Sequence, residues 1–407
     1  MAKKKFQSWL RRLYQPAPAL LICLAAGFVL PSNAAWSNFF YILALPTVFL
    51  RLRQGWRPDW RSSSFWALLA LCGWSSLTII WELDNSHHGN GRFYWLICAV
   101  STLALLLCFF MAMADEPKTR ERVISVMVWC CAAASLLSMI LQQVFHQWGG
   151  GRLGGWGGAL HMPVLGAAVA VICLLLALER LIKGKYYYLA ALLPLLVYLP
   201  VNGSRTAFLA LTCGVLVMIG FTRRTVKYFI LAGLIVLMLG LVAYGLHFAA
   251  VDNAINSALA RGSDCHITIW QTAWGMFLQH PWLGYGPSAR LPIAPHGACP
   301  AYPSPHNLYL SLLVYSGIIG FLLFWLCQAV VLVHLLRSYT GLQRRFGLAL
   351  MLVPLITGLS DLSQVIKGPS ALWYIIWLPL LLVASLPKTG RLSAGKSVTP
   401  FGLPPPV

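Results

Sequence analysis

In the stretch "YPSPHNLYLSLLVYSGIIG", residues 302–320, an apolar run opens on His306 and Asn307 and then reaches the glycine pair Gly317 and Gly320. Pro305 disfavours helix in the residue before it, so a helix start at His306 is expected. A near-neutral imidazole is the usual group for taking a proton from a hydroxyl. The plainer reading is a capping or structural histidine. Asn307 adds a hydrogen-bonding group at the same mouth, and the glycine pair reads as a place where another helix comes close.

Arginine supplies the second kind of chemistry. Its planar fork fits phosphate oxygens and never loses its charge. Arg205 follows "VNGS" and directly precedes an apolar run, which puts it in a tight turn between two spans. Arg261 opens an amphipathic stretch, and Arg290 follows "GYGPSA". Arg152 sits in the glycine-rich "WGGGRLGGWGG", where backbone can come close to a ligand. Each could instead be an interfacial arginine reaching for headgroups, which is the reading for Arg92 and Lys367. In "WELDNSHH", Glu82, Asp84, His87 and His88 could hold a divalent ion. Arginines can serve the same purpose on a diphosphate, so no metal and no other cofactor is expected. No P-loop, nucleophile-elbow or dinucleotide-binding pattern occurs.

These residues must be positioned by a chain that is mostly apolar. Of 407 residues, 59% are hydrophobic and only 10% charged, against roughly 25% charged in ordinary globular domains. Twelve apolar stretches stand out, at 17–31, 37–50, 64–81, 93–114, 123–145, 162–178, 186–201, 206–221, 228–247, 307–335, 346–360 and 371–386. The expected fold is all-α, a polytopic membrane protein of about twelve transmembrane helices. Residues 1–386 form one membrane domain, and 387–407 read as a disordered cytoplasmic tail.

The net charge of +20 is explained by topology. With the N-terminus inside and spans alternating, only Arg92, Arg152, Arg205, Arg261, Arg290 and Lys367 fall outside, leaving 24 of the 30 Lys and Arg inside. That is a positive-inside pattern rather than a nucleic-acid footprint, and it places both termini in the cytoplasm and His306 outside. One outside segment is long, about 248–305, and partly helical. "SDCHITIWQTAWGMFLQH" starts at the N-cap Ser263, sets Ile267, Trp270, Trp274 and Phe277 at helical spacing, and is stopped by Pro281. Cys265 and Cys299 share this segment, and in an oxidising compartment they are expected to be bridged.

The ordered set resembles the O-antigen ligase and polymerase superfamily. It comprises the His-Asn start with its G-x-x-G, Arg205 at a span start, Arg261 and "PWLGYGP" in the long loop, and about twelve spans. The resemblance is to the O-antigen ligases most of all. It implies transfer of a glycan from an undecaprenyl diphosphate carrier to a hydroxyl of lipid A–core, on the periplasmic side of the bacterial inner membrane, without nucleotide or metal. The family's essential histidine falls on His306 and its two arginines on Arg205 and Arg261, while Arg290, Arg152 and Asn307 are added here as substrate-binding candidates. The reaction would be an inverting displacement with His306 as base. Within the family, a repeat-unit polymerase or a protein O-oligosaccharyltransferase is the alternative. A lipid-linked glycan transporter is the alternative of another class, although transporters usually bury ionisable groups at mid-membrane. Partners other than these substrates are membrane lipids; no nucleic acid is expected.

Overall fold

The computed structural model describes residues 14–59, 61–81, 91–116, 118–145, 153–220, 264–292, 304–360 and 362–385. Every regular element among them is helical. The helices are α1 (Pro16–Val29), α2 (Asn33–Arg53), α3 (Ser63–Leu77), α4 (Arg92–Asp115), α5 (Thr119–Phe145), α6 (Pro163–Ile182), α7 (Leu189–Asn202) and α8 (Arg205–Ile219). After them come α9 (Asp264–Gln279), α10 (Leu308–Ser338), α11 (Gly341–Thr357) and a π-helical turn (Trp373–Trp377) that runs into α12 (Leu378–Ala384). The expected stretch 228–247 and the tail after 385 lie outside the described residues, and each other expected stretch coincides with a helix. Five helices, α2, α4, α5, α6 and α10, are long and apolar enough to cross a membrane, and several shorter ones are apolar as well.

Local chemistry sets the helix starts. Ser32 and Ser62 cap α2 and α3 by accepting from Ala35 N and Phe65 N, each at 3.2 Å. Pro16 and Pro163 occupy the first turns of α1 and α6, where a missing N–H costs nothing. α6 is buried continuously from Gly166 to Ala177 and packs against α5, α7, α8 and α11. Small residues permit that density: a side chain at Gly166 would meet Leu160 O and Tyr198 Oη at 2.9 Å. The π turn is equally enclosed. Its Tyr374 ring stacks on Trp36 at 5.2 Å and on Phe28 at 5.0 Å.

Ion pairs gather at one end of the bundle. Arg51 pairs with Asp115, Arg122 with Glu116, Arg180 with Glu121 and Glu179, Lys183 with Glu179, and Lys185 with Glu121. This is where α2, α4 and α6 finish and α5 begins, the end that the charge pattern assigns to the inside. His306 and Arg205 lie at the opposite end.

Candidate active site

The site is built around a break in α10. Gly317 leaves helical geometry with φ 64° and ψ −172°, which separates an outer piece, Leu308–Ser316, from the rest. A break frees backbone groups that must find other partners. The segment "PWLGYGP" (281–287) supplies them: Tyr285 N donates to Val314 O at 2.8 Å, Gly286 N to Tyr315 O at 3.0 Å, and Ile318 N to Pro281 O at 2.8 Å. Trp74 Nε1 takes Ser316 O at 3.1 Å. A side chain at Gly317 would collide with Trp282 O. At Gly317 the close approach is therefore made by the backbone of a loop, while at Gly320 it is made by helix α3, as expected. At Gly320 the nearest neighbour outside its own helix is Trp74.

α9 braces the outer piece. Ile269, Ala273 and Phe277 join Ala289, Leu291, Leu313, Val314 and Tyr315 in an apolar cluster separate from the main core. The helix ends at Gln279, just before Pro281, as expected. Its faces differ from the expected single stripe: Phe277 is buried, while Ile267 and Trp274 are exposed together with Leu278 and Trp282.

His306 stands immediately before α10 with φ 49°, the one non-glycine residue of positive φ among those described. That conformation costs an L-residue about 1–2 kcal/mol and persists only where its surroundings impose it. Its neighbours do. The Asn307 side chain caps α10, with Oδ1 accepting from Tyr309 N at 3.0 Å and Leu310 N at 3.1 Å. Its Nδ2 donates to Leu359 O at 2.9 Å, and Leu308 N donates to Gly358 O at 2.7 Å. The imidazole is half-buried. Asn307 itself is only 8% exposed, so its amide works on the scaffold that orients His306.

Arg205 sits at the turn between α7 and α8. Gly203, at φ 68°, closes α7 in the left-handed conformation, and Ser204 caps α8 by accepting from Ala207 N at 3.4 Å. Buried Asn202 fixes the turn by donating to Leu153 O at 3.0 Å and Pro163 O at 2.7 Å. Arg205 is thus the first residue of α8, with an exposed side chain. α8 packs along α11, and Thr206 Oγ1 lies 2.8 Å from Ser360 Oγ. Residues 359 and 360 therefore hold Asn307 and Thr206 respectively, and bring His306 and Arg205 to one short segment.

Arg290 is exposed on the loop seated in the α10 break. Gln364 Nε2 joins that loop to the segment after α11, donating to Pro287 O at 3.3 Å. Among the described residues, no carboxylate lies in ion-pair range of Arg205 or Arg290. Arg152, Arg261, Cys299 and the Cys265 side chain lie outside the described residues, as do Glu82, Asp84, His87 and His88. Sequence reading missed Thr206, Ser360 and Gln364. The one signal available was the position of Thr206, directly after a candidate arginine.

A family model described as O-antigen ligase matches residues 189–325, which run from the start of α7 through the outer part of α10. An O-antigen ligase from Pseudomonas aeruginosa is 26% identical over 389 residues, covering 92% of this chain and 91% of that protein. The matched segment holds Arg205, His306, Asn307 and the Gly317 break together, and over that segment the chain is similar to the O-antigen ligase family.

Proposed function

We propose that the protein joins O-antigen to lipid A–core, taking the glycan from undecaprenyl diphosphate at the periplasmic face of the inner membrane. The observation that carries this reading is the tie described above, in which Leu359 and Ser360 hold the His306 and Arg205 sides of one site.

In the reaction, the bond between sugar C1 and the diphosphate oxygen breaks as the acceptor oxygen bonds to C1 from the opposite face. The acceptor proton passes to His306, and the bonding pair leaves on the diphosphate. Arg205 and Arg261 stabilise that growing charge, with Arg290 and Arg152 contacting donor oxygens. His306 stands beside the N-terminus of α10, and its neutral imidazole is the form that accepts a proton. General-base catalysis supplies about 10²–10⁴-fold, and confinement of two lipid-anchored reactants supplies a further large factor. The arginines take the place of a metal ion.

The test is transfer from purified carrier-linked glycan to lipid A–core by the reconstituted protein, with and without EDTA. Gene disruption should leave core without O-chain while carrier-linked polymer accumulates. Core capped by one repeat unit would identify a polymerase instead.

A further inference from the structure

Lys367 occupies a place that the reading above leaves without a role. The segment after α11 crosses the whole His306 end. It accepts from Asn307 at Leu359, meets Thr206 at Ser360, donates to Pro287 from Gln364, and reaches α4 at Lys367. There Lys367 O accepts from Thr102 Oγ1 at 3.1 Å and from Trp373 Nε1 at 2.8 Å. Ile366 and Leu308 line one cavity of only about 30 Å³, room for a single water. The residue beside Lys367 thus packs near the first turn of the helix that follows His306.

On its other side this segment borders a groove. A side chain at Gly368 would stand 3.8 Å from both Cys98 Sγ and Tyr41 Oη. Tyr41 and Leu45 of α2, with Leu96, Ile97, Val100 and Ser101 of α4, line a groove of about 280 Å³. Leu96 and Val100 are exposed, so the groove opens sideways, towards lipid.

Lys367 is half-buried, and among the described residues no carboxylate lies in ion-pair range; Asp361 is outside them. Burial pushes its ammonium below the ordinary lysine value, a cost that a bound anion would offset. A cation on the segment that borders an apolar lateral groove is complementary to a lipid carrying phosphate.

We propose that the α2–α4 groove seats the polyprenyl chain of the donor and that Lys367 holds the phosphate nearest that chain. The inference rests on the donor being a polyprenyl diphosphate. Ile366, the residue before Lys367, shares a cavity with Leu308, and that neighbourhood favours the donor over a bulk phospholipid. Arg205 then serves the sugar-side phosphate and Lys367 the chain-side one, and the pair fixes the direction in which C1 faces His306.

The test measures binding of undecaprenyl diphosphate, and separately of inorganic pyrophosphate, to the full-length protein in nanodiscs. Lys367→Ala should weaken undecaprenyl diphosphate binding roughly tenfold, the scale of one charge-assisted hydrogen bond, and Lys367→Arg should restore most of it. Leu96→Trp, which fills the groove from its exposed side, should weaken undecaprenyl diphosphate and leave pyrophosphate unchanged. In turnover, Lys367→Ala should raise the donor KM and leave the acceptor KM alone. Equal undecaprenyl diphosphate affinity in wild type, Lys367→Ala and Leu96→Trp would overturn the proposal. So would native mass spectrometry showing that the variants lose only a bound phospholipid. A wild-type protein that binds no undecaprenyl diphosphate would instead overturn the functional reading beneath it.

Discussion

Thr206 Oγ1 lies 2.8 Å from Ser360 Oγ, joining residues 154 positions apart. Each hydroxyl stands one residue from a group that matters. Thr206 follows Arg205, and Ser360 follows Leu359, whose carbonyl holds Asn307 and through it His306. This contact should set register between the two halves of the site. Thr206→Val should lower kcat about tenfold, as expected for the loss of one hydrogen bond that fixes a reacting geometry. Thr206→Ser should restore it. Thermal stability of both should stay near wild type; a fall in stability that matched the fall in rate would reduce the contact to ordinary packing.

His306→Gly separates chemistry from structure. Glycine relieves the positive φ, so the variant should still insert and accumulate. Its transfer rate should fall by about 10²–10⁴. Near-normal turnover in the reconstituted assay would remove His306 from the mechanism.

Arg205→Lys should fail almost as badly as Arg205→Ala, because an ammonium cannot reproduce a two-pronged grip on phosphate. The side chain is exposed at a helix start, so neither change should disturb folding. Donor titrations would read the defect, and a lysine variant with wild-type kcat/KM would mean that charge alone suffices.

Gly317→Ala should destabilise the protein by at least about 2 kcal/mol, from left-handed backbone and collision with the Trp282 carbonyl. Gly320→Ala is the comparison. It sits in regular helix and should fold better than Gly317→Ala, although its new methyl meets Ser316 and Trp74. Thermal unfolding in detergent would rank them, and equal melting would mean that the loop does not depend on the break.

The membrane helices were legible because a spanning helix needs a long apolar run, and lipid leaves little else for such a run to do. The Arg205 turn was legible too, since Gly203 and Ser204 carry the chemistry of a stop and a start. The Gly317 notch was not. Its partners are backbone atoms of Trp282, Leu283 and Tyr285, which leave no side-chain pattern to read. α9 misled for another reason: both of its faces are apolar, one against Leu313 and Val314 and one carrying exposed Ile267 and Trp274. A single stripe could not describe it.

That two-faced helix has a mechanical consequence. Trp274, Leu278 and Trp282 present an apolar, aromatic surface of the kind that settles at a bilayer boundary, while the reverse of the same helix grips the short piece of α10 that follows His306. That piece is held on two sides: α9 grips Leu313, Val314 and Tyr315, while Leu308 N and Asn307 Nδ2 tie it to Gly358 and Leu359 beyond α11. With α9 seated at the bilayer boundary, transfer should respond to membrane thickness, which nanodiscs of different acyl length would read.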